Sequence, residues 1–314
     1  MPKSNTTVSR NAVFVFVLLL FSFAAVAPTG FSATYADDQS NQRLKLIQQP
    51  TPEATDPSQP TIVPWNMQNV VEQARIGKGT INAVAWSPNS NLLAVGGSLG
   101  VWLYDLNNLE EVPRLLAGHR QPVTSVAWSP DGTLLASGSE SSLQIWSIVS
   151  GEPELQRSGA GVQAIAWSPD GSMLATISET GSIRVWNAAA EEVLLVIANQ
   201  QKALSLTWSP YGTVIASGSS DGKIRLWDSA TGRELRTIEL DWNANAVRGL
   251  DWAPHGDLLA AGDERGTVTL WDASNGERQY ELKGHNAAIL DVRWSPDGSV
   301  LVTASSDKTV RLWD

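Results

Sequence analysis

The 314-residue sequence predicts an all-β propeller of six four-stranded blades, and three observations carry that expectation. A phrase recurs six times: INAVAWSPNSNLLAVGG, VTSVAWSPDGTLLASGS, VQAIAWSPDGSMLATIS, ALSLTWSPYGTVIASGS, VRGLDWAPHGDLLAAGD and ILDVRWSPDGSVLVTAS. Its tryptophans, Trp86, Trp128, Trp167, Trp208, Trp252 and Trp294, lie 42, 39, 41, 44 and 42 residues apart, a period suited to one four-stranded blade. A second set, Trp102, Trp146, Trp186, Trp227, Trp271 and Trp313, follows the first by 16 to 19 residues, so that only Trp65 and Trp242 stand outside the repeat.

Within a repeat, the alternation of VTSVAW reads as a half-buried strand, and the aliphatic and small residues of LLASGS read as a second. Ser-Pro-Asp-Gly between them reverses the chain, because proline presets φ, aspartate bonds nearby amides and glycine tolerates positive φ. A second turn near Ser-Asp-Gly leads into a third strand such as IRLWD. The more polar GRELRTIEL and GERQYELKG then read as a fourth strand, at the outer edge of the blade.

These residues resemble the WD-repeat family over about residues 66–314, with the dipeptide itself at Trp227-Asp228, Trp271-Asp272 and Trp313-Asp314. The resemblance implies a β-propeller and, in each repeat, a structural hydrogen-bonded set of His, Ser/Thr, Asp and Trp. The last repeat carries all four as His285, Thr303, Asp307 and Trp313. Repeat four offers Ser217, Asp221 and Trp227 with Asn199 in place of the histidine, and repeat two offers His119, Ser137 and Trp146 with Glu140 or Ser141 at the acidic position. Val95 and Ala261 replace the hydroxyl in repeats one and five. Buried indole and imidazole N–H groups need acceptors, so the sets are expected to fix blade geometry and not to perform chemistry.

Ahead of the repeats, Lys3 and Arg10 precede the apolar residues 12–27, which are short for a membrane span, so residues 1–36 read as a secretory signal cleaved after Ala36. An uncleaved membrane anchor built on residues 12–27 is the alternative. Residues 37–65 are rich in Gln, Pro, Thr and Asp and read as a disordered linker. The sequence stops at Asp314, directly after the third strand of repeat six, while residues 68–76 stand where outer strands precede the other repeats. That N-terminal strand is expected to complete the last blade and close the ring; the alternative is part of a larger propeller.

Loss of residues 1–36 removes Lys3 and Arg10 and no acidic group, which takes the formal net charge from -10 to -12. That balance counts against a phosphate-tracking surface, so no nucleic-acid partner is expected. The absence of cysteine excludes disulfides, thiolate metal ligands and thiol catalysis. No cofactor or metal is implied, and the one loose cluster of metal-ligand types, Asp257, Asp263 and Glu264 near His255, is outweighed by the turn position that His255 holds. With three histidines and no nucleophile elbow, no catalytic residue is expected. The candidate interaction surface comprises Trp242, Asn243 and Asn245 in the loop entering repeat five, with Arg120 and Arg265 at related loop positions. The expected function is a non-enzymatic protein- or peptide-binding scaffold presenting its top face and central channel. An exported propeller hydrolase or lyase, or a fragment of a larger multi-domain protein, is the alternative.

Overall fold

Period-two alternation and the Ser-Pro turns fold each repeat into an antiparallel meander. The computed structural model describes residues 78–197, 201–240 and 246–314, all within one compact unit. Blade one contains β1 (Ile81–Trp86), β2 (Leu92–Gly97), β3 (Gly100–Asp105) and β4 (Arg114–Leu116). Blade two contains β5 (Val123–Trp128), β6 (Leu134–Ser139), β7 (Ser142–Ser147) and β8 (Pro153–Ser158). Blade three contains β9 (Ala164–Trp167), β10 (Met173–Ile177), β11 (Ile183–Asn187) and β12 (Val193–Ile197). Blade four contains β13 (Ala203–Trp208), β14 (Val214–Ser219), β15 (Lys223–Asp228) and β16 (Glu234–Glu239). Blade five contains β17 (Val247–Trp252), β18 (Leu258–Asp263), β19 (Thr267–Asp272) and β20 (Glu277–Lys283). Blade six contains β21 (Ile289–Trp294), β22 (Leu301–Ser305) and β23 (Val310–Trp313), three strands among the described residues. The chain is thus an all-β propeller of six blades; the expected closing strand, residues 68–76, lies outside the described residues, as do the signal and linker.

The turn between the first two strands is built as its sequence requires. Ser129 Oγ donates to Asp131 Oδ1 at 2.5 Å and accepts the Leu134 amide at 2.9 Å, while Gly132 sits at φ +73°. Ser168 with Asp170 and Ser295 with Asp297 repeat the device. These bonds hold the Asp131, Asp170 and Asp297 carboxyls below their usual range, led in each by the serine hydroxyl.

The register of β2 and β3 revises one sequence assignment. Leu93 pairs with Tyr104, as Leu135 pairs with Trp146 in blade two, whereas Trp102 lies opposite Val95. Tyr104 therefore holds the indole position of blade one. The tryptophan spacing misled because Trp102 comes two residues early, and a shift of two keeps a side chain on the same face of the strand.

Successive blades pack face on face through their first strands. On one face of blade one, Ala83, Ala85, Ala94, Val101 and Leu103 form a core with Val123, Val126, Trp128, Leu135 and Trp146 of blade two. Equivalent mixed cores join blades two and three, three and four, four and five, and five and six. Two rows of hydrogen bonds stitch these junctions. Trp128, Trp167 and Trp208 each donate Nε1–H to a backbone carbonyl of the preceding blade, Ala85, Ala127 and Ala166, at 2.9 to 3.1 Å. Nearer the other end of the first strand, Asn82, Thr124 and Ser205 donate forward to the carbonyls of Val123, Val162 and Val247.

Steric pairing sets how closely the blades approach. A Cβ on Gly262 would lie 2.3 Å from Ile289 Cγ2, and one on Gly138 would lie 2.6 Å from Val162 Cγ1. Gly96 faces Val123 and Gly218 faces Val247 in the same way. Replacing Gly262 by alanine is expected to destabilise the fold by about 1–3 kcal/mol through overpacking. In an Ile289→Ala background, which lacks both γ carbons, Gly262→Ala should cost less than in the parent chain, as measured by chemical denaturation; strict additivity of the two changes would show that the glycine does not act through this contact.

Candidate functional site

The repeat places two kinds of connection at one end of the propeller, here called the upper face: the segments entering each first strand, and the turns between second and third strands. Where these meet in blades three to five they surround a cavity of about 620 Å³. Gln163, Leu204 and Arg248 line it from one equivalent position, the residue after the one that packs on the preceding blade. Lys202 and Ala246 contribute from the segments entering β13 and β17, and Ser220, Asp221 and Glu264 from the turns after β14 and β18.

The charges around this mouth are arranged in pairs. Arg248 meets Glu264 through Nη2 at 2.9 Å and Nε at 3.0 Å. Arg225 grips Asp221 with both terminal nitrogens, at 2.6 and 3.2 Å. Burial opposes ionisation of Asp221, but the Arg225 guanidinium and the Lys223 amide outweigh it and hold the carboxyl below its usual range. Lys202, exposed at the rim, adds a further cation.

Of the interaction residues expected from sequence, Trp242, Asn243 and Asn245 lie outside the described residues; Ala246, which follows them, lines the cavity. Arg265 is exposed in the β18–β19 turn, directly after the cavity residue Glu264. Arg120 is exposed in the segment between β4 and β5, away from the three blades that form the cavity. Sequence reading passed over Gln163, Lys202 and Arg248, and weighed Glu264 only in the loose metal-ligand cluster near His255. The available signal was the mixed character of one repeat position, Asn82, Thr124, Gln163, Leu204, Arg248 and Leu290, beside neighbours that stay aliphatic.

The hydrogen-bonded sets lie inside the blades. In blade six His285 Nδ1 meets Asp307 Oδ2 at 2.9 Å and Nε2 meets Thr303 Oγ1 at 2.7 Å, while Trp313 Nε1 donates to the same hydroxyl at 3.0 Å. Burial opposes ionisation of Asp307, yet bonds from Thr309, His285 and the Asn286 and Thr309 amides keep its carboxyl far below the usual range. In blade two His119 Nε2 and Trp146 Nε1 both reach Ser137 Oγ at 2.7 Å. The acidic position there is filled by neither Glu140 nor Ser141. Ser142 Oγ meets His119 Nδ1 at 3.2 Å, as Thr309 Oγ1 meets His285 Nδ1 at 3.2 Å in blade six.

Blade four departs further from the family set. Trp227 Nε1 donates to Ser217 Oγ at 2.9 Å, but Asp221 serves Arg225 and the Lys223 amide; Asn199 lies outside the described residues. In blade five, where Ala261 has no hydroxyl, Trp271 Nε1 finds Thr269 Oγ1 on its own strand at 2.8 Å. Each of these indoles therefore meets a hydroxyl, whichever strand supplies it. His255 is an exposed turn residue, as its position at the Asp131 and Asp297 equivalent suggests.

Burial lowers the His119 pKa from 6.5 to about 4. Between those values the unfolded chain takes up a proton that the folded one refuses, so this contribution to stability is complete above pH 6.5 and is lost as pH falls toward 4. Urea unfolding from pH 7 to 4 is expected to show a shallower decline in His119→Gln than in the parent chain, and equal slopes would remove His119 as the cause. In Thr303→Val, the loss of the hydroxyl shared by His285 and Trp313 should cost about 1–3 kcal/mol in the same assay, because two buried groups lose their partner.

Compared with known protein families, residues 80–314 match one family model, described as IFT122 first beta-propeller. No curated protein matches the chain.

Proposed function

The chain belongs to the IFT122 first beta-propeller family, and from that membership and the upper-face mouth we propose a non-enzymatic scaffold that binds a protein or peptide partner at the mouth of its central channel. A propeller of this type is suited to protein–protein interaction in general, because rigid blades present loops whose ordering has already been settled by folding. The observation that carries the site is the cavity of about 620 Å³ in which three consecutive blades contribute Gln163, Leu204 and Arg248 from one register position. Its charges favour an extended polar segment. Arg248 and Lys202 offer cationic contacts to acidic side chains, Glu264 and Asp221 are anchored by their own arginines, and Leu204 supplies an apolar floor. Trp242, Asn243 and Asn245 belong to this proposal only by their place in the sequence, directly before Ala246, which lines the cavity.

The non-enzymatic reading is supported by the pairing of the mouth's ionisable groups, which leaves Asp221 and Glu264 engaged with guanidinium groups and unsuited to proton transfer. Export by a signal in residues 1–36, with the propeller working in an extracellular or envelope compartment, is proposed on the basic and apolar pattern of that segment.

Peptides selected by display against the full chain provide the test. They should bind the Lys202→Glu, Arg248→Glu double variant at least about tenfold more weakly, equivalent to about 1.4 kcal/mol, at an unchanged melting temperature. Selected peptides that bind both proteins equally would move the interaction away from this mouth.

A further inference from the structure

In blades three, four and six the turn after the second strand leads to an arginine at one register position: Arg184, Arg225 and Arg311 lie opposite Thr176, Ser217 and Thr303. Four residues before each arginine, within the turn, stand Thr180, Asp221 and Asp307. In blade four the two meet, with Arg225 holding the Asp221 carboxylate at 2.6 and 3.2 Å. In blade six the carboxylate serves His285, Thr309 and the Asn286 amide. Blade three keeps the arginine but has no acid at the turn position. Arg184 is half-buried and makes no hydrogen bond or ion pair among the described residues. A half-buried guanidinium has lost part of its hydration, and in blade three no anion of the chain replaces it.

The surroundings of Thr180 suit a carboxylate. Thr180 Oγ1 lies 2.9 Å from Ser178 Oγ and 3.3 Å from Ser182 Oγ, so hydroxyls gather where blade four has its acid. In blade six the residue at the place of Ser182, Thr309, donates its hydroxyl to Asp307 at 2.6 Å. There is also room. Where His285 and Asn286 cover Asp307 in blade six, blade three has Ser158 and Gly159, and a Cβ on Gly159 would meet no atom within 4 Å. On its other side the turn rests against the mouth of the upper face, since a Cβ on Gly181 would lie 2.5 Å from Lys202 Cα. Lys202 is exposed and has no acidic partner among the described residues. The acid of this turn, Glu179, is exposed and lies toward Gly161, whose Cβ would stand 3.3 Å from its Cγ.

We propose that the β10–β11 turn of blade three is a subsite for a carboxylate of the partner, an aspartate or glutamate side chain that takes the place Asp221 holds in blade four. Arg184 receives it together with the hydroxyls of Thr180 and Ser182, and Lys202 adds a cation where the turn meets the mouth. The subsite rests on the reading of the upper face as the partner surface and adds the partner's chemistry: an acidic, extended segment that runs from the mouth onto blade three. A carboxylate fits better than a phosphate because the same frame holds a carboxylate in blades four and six.

Two measurements on the full chain test the subsite. Thr180→Asp supplies the missing acid from the chain itself and should raise the melting temperature by about 1–2 °C. In an Arg184→Gln background the same substitution should bring no gain; an undiminished gain would overturn the pairing of these two positions. Fluorescently labelled oligo-glutamate, titrated by anisotropy, should bind the parent chain and lose at least about fivefold in affinity in Arg184→Gln and in Thr180→Asp. Lys308→Gln, which removes an exposed charge from the β22–β23 turn, should leave that affinity unchanged, and oligo-glutamine should not bind. Oligo-glutamate that binds parent and variants alike, fails to bind, or weakens equally in Lys308→Gln would overturn the subsite. A loss confined to the Lys202→Glu, Arg248→Glu double variant would overturn it while leaving the mouth standing. Inorganic phosphate that binds through Arg184 where oligo-glutamate does not would overturn the carboxylate assignment.

Discussion

The approach of one blade to the next is the contact on which the rest of the molecule depends. A first-strand valine or isoleucine presses on the preceding blade where only hydrogen is tolerated, at Gly96, Gly138, Gly218 and Gly262. Where blade three departs from that rule, Ile177 is matched by the small Ala203, so the summed volume at the junction is conserved while its division changes. The indole-to-carbonyl bonds of Trp128, Trp167 and Trp208 then lock rotation about these contacts. Blades five and six use other bonds: Trp252 turns to its own Gly256 carbonyl, and Asp251 accepts the Trp294 amide across the junction at 2.8 Å. Burial pushes the Asp251 carboxyl up to about 6 although the Arg293 charge and the Trp294 amide favour its ionised form, so this buried group carries pH sensitivity of the opposite sign to that of His119. Its stabilising share is complete below the ordinary aspartate value of 3.8 and is lost as pH rises through 6.

Inside the blades the governing demand is for an acceptor beside each buried indole. Thr303, Ser137, Ser217 and Thr176 meet it from the second strand, and Thr269 meets it from the third where Ala261 cannot. Only blades two and six extend the bond to a histidine among the described residues; a hydroxyl, Ser142 or Thr309, meets the ring Nδ1 in both, and Asp307 joins it in blade six. The variation is consistent with a structural role, since a donor can be satisfied by several partners whereas proton transfer requires one fixed arrangement.

The upper face is under looser demands. Its residues emerge at strand ends, where the repeat sets the backbone; at the position from which Asn82 and Thr124 bond across their junctions, Gln163, Leu204 and Arg248 diverge and line the cavity instead. Diversity on a fixed frame is the physical basis for reading this end as the recognition surface.

Much of the fold was legible in the sequence, because strand alternation, Ser-Pro-Asp-Gly turns and a recurring tryptophan are local signals that repeat. The sequence by itself determined six blades, their turn chemistry and the full His285, Thr303, Asp307 and Trp313 set. Tertiary structure decided what depended on register and on neighbours distant in the chain: Tyr104 in place of Trp102, Ser142 as the partner of His119, Arg225 as the partner of Asp221, and a mouth assembled from three blades. The reason is geometric. Periodicity reports which face of a strand a residue occupies, whereas its hydrogen-bond partner and its place in a cavity are fixed only when separate blades are brought to packing distance.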